Sequence, residues 1–352
     1  MTLRRRPAAY GIRHTVAALP RCVSAVKAIL ISSIRNPRSA ICHSLVVSVV
    51  LILLTVAPLA DTTPRVLIIT GAGGEAAYEK RFQEWAGELS AALRQIAPEP
   101  GAVVWLGDPS GVAARRDAVL KALSQLKTPQ SSSILVFLIG HASFDGVQYR
   151  FNLVGPDITQ AELQSALDAV EGKLALVALT SSSGALAEKM ARSGRVVLAT
   201  SRQNEKFPPE FPRFFVAALK DAAADTNKNS EVSVLEAYQY ARIKTEEWYR
   251  VANRLATEHA VLEDNGDGNP SVEPSSENGE GLLASSIALA QLGERKATRA
   301  AADLLEQRRA LEAQLDGLKY RKASLPAADY EAQLQELLVK LAELNRKIRE
   351  KN

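Results

Sequence analysis

Two short runs carry side chains able to meet as nucleophile and base. Gly140-His141-Ala142-Ser143-Phe144-Asp145-Gly146 follows the all-apolar residues 134–139, and Thr180-Ser181-Ser182-Ser183-Gly184 closes the apolar residues 174–179. A serine hydroxyl is a weak nucleophile until a positioned base takes its proton, so the chemistry needs His141 within hydrogen-bond reach of Ser181. Neighbouring strand ends bring two such residues together without proximity in sequence. His141 is one of only two histidines after residue 60, the other being His259. A loop histidine is by default a surface residue, but this one leaves what reads as a buried central strand. Asp145 and Asp157 are the acids available to orient its ring.

A second chemistry is oxygen ligation. Asp225, Asn227, Asn229, Ser233 and Glu236 occupy positions 1, 3, 5, 9 and 12 of a twelve-residue run, with Val232 aliphatic at position 8 and Glu231 offering its carbonyl at position 7. That spacing suits an EF-hand-like calcium loop. Ser230 stands at position 6, where the sharp turn favours glycine, and two asparagines lower the ligand charge, so the expected cofactor is weakly held calcium. The bland reading is an Asx-rich turn that caps the following helix. Glu263, Asp264, Asn265 and Asp267 begin a companion run that lacks a terminal glutamate at the right distance. Gly71, Gly73 and Gly74 follow another apolar run. Ala76 stands where a dinucleotide fingerprint needs its third glycine, and no Lys-Ser/Thr follows for a P-loop, so a tight strand-to-helix turn is expected.

The elements that must hold these residues alternate. Apolar runs at 65–70, 103–106, 134–139, 174–179 and 196–199 read as strands. Helical periodicity separates them up to residue 97, over 111–126 with Asp108 or Ser110 as cap, over 159–170 with Asp157 or Thr159 as cap, and from about residue 185. The expected fold is α/β, a doubly wound, mostly parallel sheet flanked by helices, over residues 61–262. Helices over 212–223 and 232–256 complete it. Residues 263–283, rich in Asn, Gly, Pro, Ser and Glu, read as a linker. Residues 284–352 read as an antiparallel helical hairpin or coiled coil. One seam runs through Tyr330, Leu334, Leu337, Leu341, Leu344 and Ile348; the other uses Leu304, Leu311, Leu315 and Leu318, with Arg308 where an apolar residue is missing.

The 352 residues, 47% apolar and 23% charged, suffice for one large or two modest domains. The formal charge of +4 comes from the leader: eight of the 43 basic residues precede Asp61, the first acidic one, and the remainder holds 35 basic against 39 acidic. A nucleic-acid partner is therefore not expected. Cys22 and Cys42 are the only cysteines, so the body holds no thiolate nucleophile, no disulfide and no cysteine metal site. Residues 39–60 carry no charge, and their apolar core, 45–56, follows a basic flank. That is the layout of a signal peptide, or of an anchor through residues 40–60; either exports the body, and any membrane contact runs through this segment alone.

The run ILVFLIGHASFDG, followed about 40 residues later by LALVALTSSSG and then by GRVVLATS, resembles the caspase–legumain clan of cysteine peptidases, in particular bacterial, exported legumain-like members. The resemblance implies a caspase-like fold over about residues 64–268. It sets His141 on the catalytic histidine and Ser181 on the catalytic cysteine, and makes the loop with Ser201, Arg202 and Gln203 part of the specificity pocket. Ser181 in place of cysteine, and Ala142 in place of the glycine after the histidine, depart from the pattern. The expected function is an exported pseudopeptidase that binds a peptide or protein segment in the strand-end cleft, or scaffolds at the cell envelope. The first alternative is a serine peptidase using a Ser181–His141 dyad, with backbone amides near Ser182 as oxyanion donors. The second is a structural envelope protein that meets a partner, or itself, through the C-terminal hairpin.

Overall fold

The apolar runs form strands because each has a hydrophobic layer to meet on both faces. In β1 (Arg65–Thr70), Val66 and Ile68 face one core while Leu67 and Ile69 face the other. Continuous apolar sequence is the signature of such doubly covered parallel strands. With β2 (Val103–Leu106), β3 (Ser133–Gly140), β7 (Lys173–Thr180), β8 (Arg195–Ala199) and β10 (Val261–Glu263), it builds a six-stranded sheet in the order β10-β8-β7-β3-β1-β2. Only β10 runs antiparallel to its neighbour. Strands β4 (Ala142–Phe144), β5 (Tyr149–Phe151) and β6 (Ile158–Thr159) form a small antiparallel sheet; β9 (Glu231–Ser233) pairs with β11 (Ala288–Gln291). This computed structural model describes residues 63–126, 132–293 and 299–351; the signal-peptide and anchor readings of residues 39–60 lie outside them. Among the described residues no helix is long and apolar enough to cross a membrane.

One face of the sheet is covered by α1 (Ala76–Ile96), α5 (Phe211–Ala218) and α6 (Val234–Val251), the other by α2 (Arg116–Ser124), α3 (Gln160–Asp168), α4 (Gly184–Lys189) and the small sheet. Two of these helices start on capping boxes, Thr159 with Glu162 and Ser233 with Glu236. Each such cap stabilises its helix by about 1 kcal/mol. The helix expected from residue 111 starts instead at Arg116. Asp108 closes its own turn by accepting the amide and hydroxyl of Ser110, so it is not available as a cap.

The segment expected as a linker is folded into the body. Leu262 and Ser271 form a bridge, and Glu263, Asp264 and Glu280 are buried. The Asp264 carboxylate accepts the amides of Gly281 (2.7 Å) and Ala284 (2.8 Å), which fastens β10 to the short helix α7 (Leu282–Ser285). Ala284, Ile287, Leu289 and Ala290 then join the main core. Polar, glycine-rich composition marks irregular backbone here, not exposure to solvent.

The hairpin proper consists of α8 (Arg299–Tyr320) and α9 (Ala327–Lys351), packed on each other across a 3-10 turn, Lys322–Ser324. The α9 heptad positions are its inward ones: Leu344 and Ile348 are buried, and Tyr330, Leu334, Leu337 and Leu341 are half-buried. Arg308, the polar interruption in the first seam, is 8% exposed and donates to the carbonyl of Asn229. Its neighbour Arg309 pairs with Glu231, and Asn229 donates to Glu312 at 3.1 Å. Arg309→Ala strips a guanidinium from a buried carboxylate. Because Arg309 is itself partly exposed, the expected loss is only about 1 kcal/mol; a urea midpoint that does not fall, with trypsin sensitivity of the hairpin unchanged, would show that this pair does not hold the hairpin down.

Candidate functional site

The register between β3 and β7 sets Gly140 opposite Thr180, so His141 and Ser181 leave neighbouring strands side by side. Proximity is not engagement. Ser181, 3% exposed, donates its hydroxyl proton to the carbonyl of Ala142 (2.8 Å) and accepts the amide of the same residue (3.2 Å). His141 lies edge-on to Tyr78 and Phe82, with centroids 4.6 and 5.0 Å away, and its ring bonds the backbone of Gly73. Burial holds its pKa below the ordinary histidine value, so the ring is neutral near pH 7. A neutral imidazole can take a proton, but neither candidate acid orients this one. Asp145 pairs with Arg150 and closes a turn on the amides of Val147 and Gln148; Asp157 accepts the amide of Leu153.

The amides after Ser181 are equally committed. Ser182 sits in the left-handed region, at φ 54°, and its N–H donates to the carbonyl of Glu205 (3.1 Å). The amide of Ser183 donates to the Ser201 hydroxyl (3.1 Å), and the Ser183 hydroxyl accepts the amide of Thr200 (2.9 Å). Thr200 in turn donates to the carbonyl of Thr180 (2.6 Å), while the other Thr180 oxygen, its hydroxyl, meets the buried Tyr149 hydroxyl at 2.7 Å. Ser201 is thus fully buried, its hydroxyl holding the Ser183 amide. Gly184 makes the arrangement possible: a Cβ there would stand 2.4 Å from the amide nitrogen of Gln203 and 2.6 Å from the carbonyl oxygen of Ser201.

The same loop forms one wall of a cleft of about 720 Å³. Arg202, Gln203 and Asn204 line it together with Gly184 and Glu188 of α4 and the residues from Gly268 to Pro270. Glu205 shapes the wall: its carboxylate accepts the amides of Arg202 (2.8 Å) and His259 (2.7 Å) and pairs with the His259 ring. The Arg202 side chain is exposed and, among the described residues, makes no salt bridge. The structure therefore groups Arg202 and Gln203 with Glu188 and Glu205, which the sequence reading had not singled out, and sets His141, Ser181, Ser182 and Ser201 outside the cleft lining. Only the pairing of residue 205 with 259 could have flagged the loop, and a separation of 54 residues carries no sequence signal.

The glycine turn at residues 71–74 is filled by protein, as a tight strand-to-helix turn requires. A Cβ on Gly71 would meet the carbonyl of Asn152 at 2.4 Å and the Phe151 ring at 2.9 Å, and the amide of Gly73 donates to Glu79 (2.9 Å). The Phe151 ring packs against both Gly71 and Gly140, at the carboxyl ends of β1 and β3.

In the twelve-residue loop, both oxygens of Asp225 accept backbone amides, from Asn229 (3.0 Å) and Ser230 (2.9 Å). Glu236 accepts Thr226 and Asn227 on one oxygen and Ser233 on the other. The Asn227 and Asn229 side-chain carbonyls accept amides two residues on, and Ser233 caps α6. Glu231 faces Arg309. Ser230 takes φ 67°, the conformation that favours glycine at this position. The six nominated residues form an Asx-rich turn whose oxygens are bound to amides and to Arg309, with Arg308 at the Asn229 carbonyl.

No family model matches the chain, and no curated protein does either. Among solved structures the chain is similar to "Crystal Structure of drICE", at 10% identity over 58% of this chain and 89% of that one, with a TM-score of 0.37.

Proposed function

We propose that the body is an exported, caspase-like pseudopeptidase: it holds a peptide or protein segment in the cleft beside Arg202 and does not cleave it. The observation that supports this is the state of Ser181, whose donor and acceptor are both closed on Ala142 while the next two amides are bound to Glu205 and Ser201. Acyl transfer needs a hydroxyl shared with a base and free amides aimed at the developing oxyanion. Opening both would break at least four hydrogen bonds around a strained residue, Ser182. Arg202 offers a planar, unpaired donor fork at the mouth of the cleft, suited to an acidic side chain or a chain-terminal carboxylate. Scaffolding at the envelope through the hairpin is the second reading, and exposed Leu338 and Val339 on α9 favour it.

Two measurements on the full chain separate these readings. Ser181→Ala leaves the amide and carbonyl of Ala142 without their partner, so it should lower unfolding stability by about 1 kcal/mol and leave no cleavage to lose. Cleavage of a peptide library by the native chain that vanishes in Ser181→Ala, with stability unchanged, would make Ser181 a nucleophile and end the pseudopeptidase reading. For the cleft, fluorescence anisotropy with peptides bearing an acidic residue should show binding that Arg202→Ala weakens about tenfold, the scale of one charge-assisted hydrogen bond. Binding untouched by Arg202→Ala, or lost only when residues 299–352 are removed, would move recognition to the hairpin.

A further inference from the structure

A second group of acids has backbone amides but, among the described residues, no basic side chain paired with it. Glu263, at the end of β10, Asp267, in the turn that follows, and Glu280, just before α7, each place one carboxylate oxygen within 4.8 Å of the others. Asp264 stands against Glu280 as a fourth acid. Among the described residues, none of the four forms a salt bridge.

The oxygens of the two buried glutamates divide cleanly. Glu263, fully buried, takes the amide of Gly266 on Oε1 (2.7 Å); Glu280, 1% exposed, takes the amide of Asp264 on Oε2 (2.6 Å). The remaining atoms, Glu263 Oε2 and Glu280 Oε1, are buried with no hydrogen-bond partner. Two orphaned carboxylate oxygens in one acidic cluster are costly, since a buried charge needs a counter-charge or a full set of donors. Protonation is one relief, and burial beside Asp264 and Glu263 does push Glu280 up to about 8. A cation is the other.

We propose that Glu263, Asp267 and Glu280 bind calcium. The donor set is all oxygen, which selects a hard cation over zinc or copper. Three oxygens within 4.8 Å of one another are close enough to share one ion; calcium accepts such irregular oxygen sets at about 2.3–2.6 Å, whereas magnesium demands a near-ideal octahedron at about 2.1 Å. The turn between the ligands is shaped to present them, with Gly266 and Gly268 both at positive φ and the Asn265 side chain accepting the amide of Asp267 (2.8 Å). A Cβ on Gly266 would strike the Ser193 amide at 2.7 Å, so the turn is seated on the body. Its far end, Gly268 to Pro270, lines the cleft of Arg202. The ion would thus fix one wall of that cleft, although the site stands whether or not the cleft binds peptide. The terminal glutamate missing from the local spacing is supplied by Glu280, thirteen residues beyond Asp267.

The test is thermal unfolding of the full chain at pH 7.5, stripped with EDTA and then titrated with calcium or magnesium chloride at constant ionic strength. Calcium at about ten times its dissociation constant should raise Tm by about 3 °C, with magnesium doing less. Glu263→Gln and Glu280→Gln should each weaken the calcium response at least tenfold. Both should fold in EDTA at least as well as the native chain, because a neutral amide replaces a carboxyl whose burial costs either an unpaired charge or a proton, so loss of response cannot be mistaken for failure to fold. No calcium-specific shift in the native chain, or a shift that survives both substitutions, would overturn the site. So would a shift that survives in both but vanishes in Asp225→Asn, which would put the ion in the other loop.

Discussion

The structure depends on the contact between Gly184 and the backbone of residues 201–203. Without a side chain at 184, the loop after β8 lies against the start of α4 closely enough for its carbonyls and hydroxyls to collect the amides of Ser182 and Ser183. That contact has two consequences at once. It removes the donors an oxyanion would need, and it holds Arg202 and Gln203 outward along the cleft. The strained φ of Ser182, a state that costs on the order of 1 kcal/mol or more in a non-glycine residue, persists because the Glu205 carbonyl holds it. A strand end that could present a nucleophile here anchors the loop that lines the cleft.

What was legible in the sequence follows from which forces act locally. Strands buried on both faces leave unbroken apolar runs, and all five parallel strands could be read from theirs. Capping is also local: Thr159 announces its helix through Glu162, three residues on. The seam of α9 was legible for the same reason, since its spacing is set by one helix turning against its neighbour. The placement of His141 and Ser181 at adjacent strand ends followed from strand order. Their engagement did not, because the choice between a bond to His141 and a bond to the Ala142 backbone is made by tertiary geometry. Residues 263–283 show the limit most clearly. Composition identified irregular backbone, but what buries that backbone is a set of carboxylate–amide bonds between Asp264, Gly281 and Ala284.

The two acidic loops solve one electrostatic problem differently. Each must keep carboxylates in a poorly hydrated setting beside the hairpin or the sheet edge. The loop at 225–236 does so with backbone amides and with the Arg309 guanidinium on Glu231, while Arg308, also from α8, holds the Asn229 carbonyl. That explains why the α8 seam tolerates a buried arginine where leucine belongs: Arg308 exchanges apolar packing for a hold on Asn229. Spacing suggested calcium ligation for this loop; it carries no sign of the arginines that α8 brings to it from 78 and 79 residues away.

Among the described residues, no arginine pairs with the acids of the loop at 263–280. Its amides satisfy one oxygen of each buried glutamate and leave the other bare. Deleting the charge would have been the simpler solution: glutamine at residue 263 or 280 fits the same volume and removes the repulsion. Retaining carboxylates at both positions makes physical sense where something positive completes the set, because only then does the attraction exceed the cost of taking two charges out of water. The position adds a second reason. The acidic turn continues directly into the residues from Gly268 to Pro270, which line the same cleft as Arg202, so whatever neutralises Glu263 and Glu280 acts on the chain that shapes that cleft.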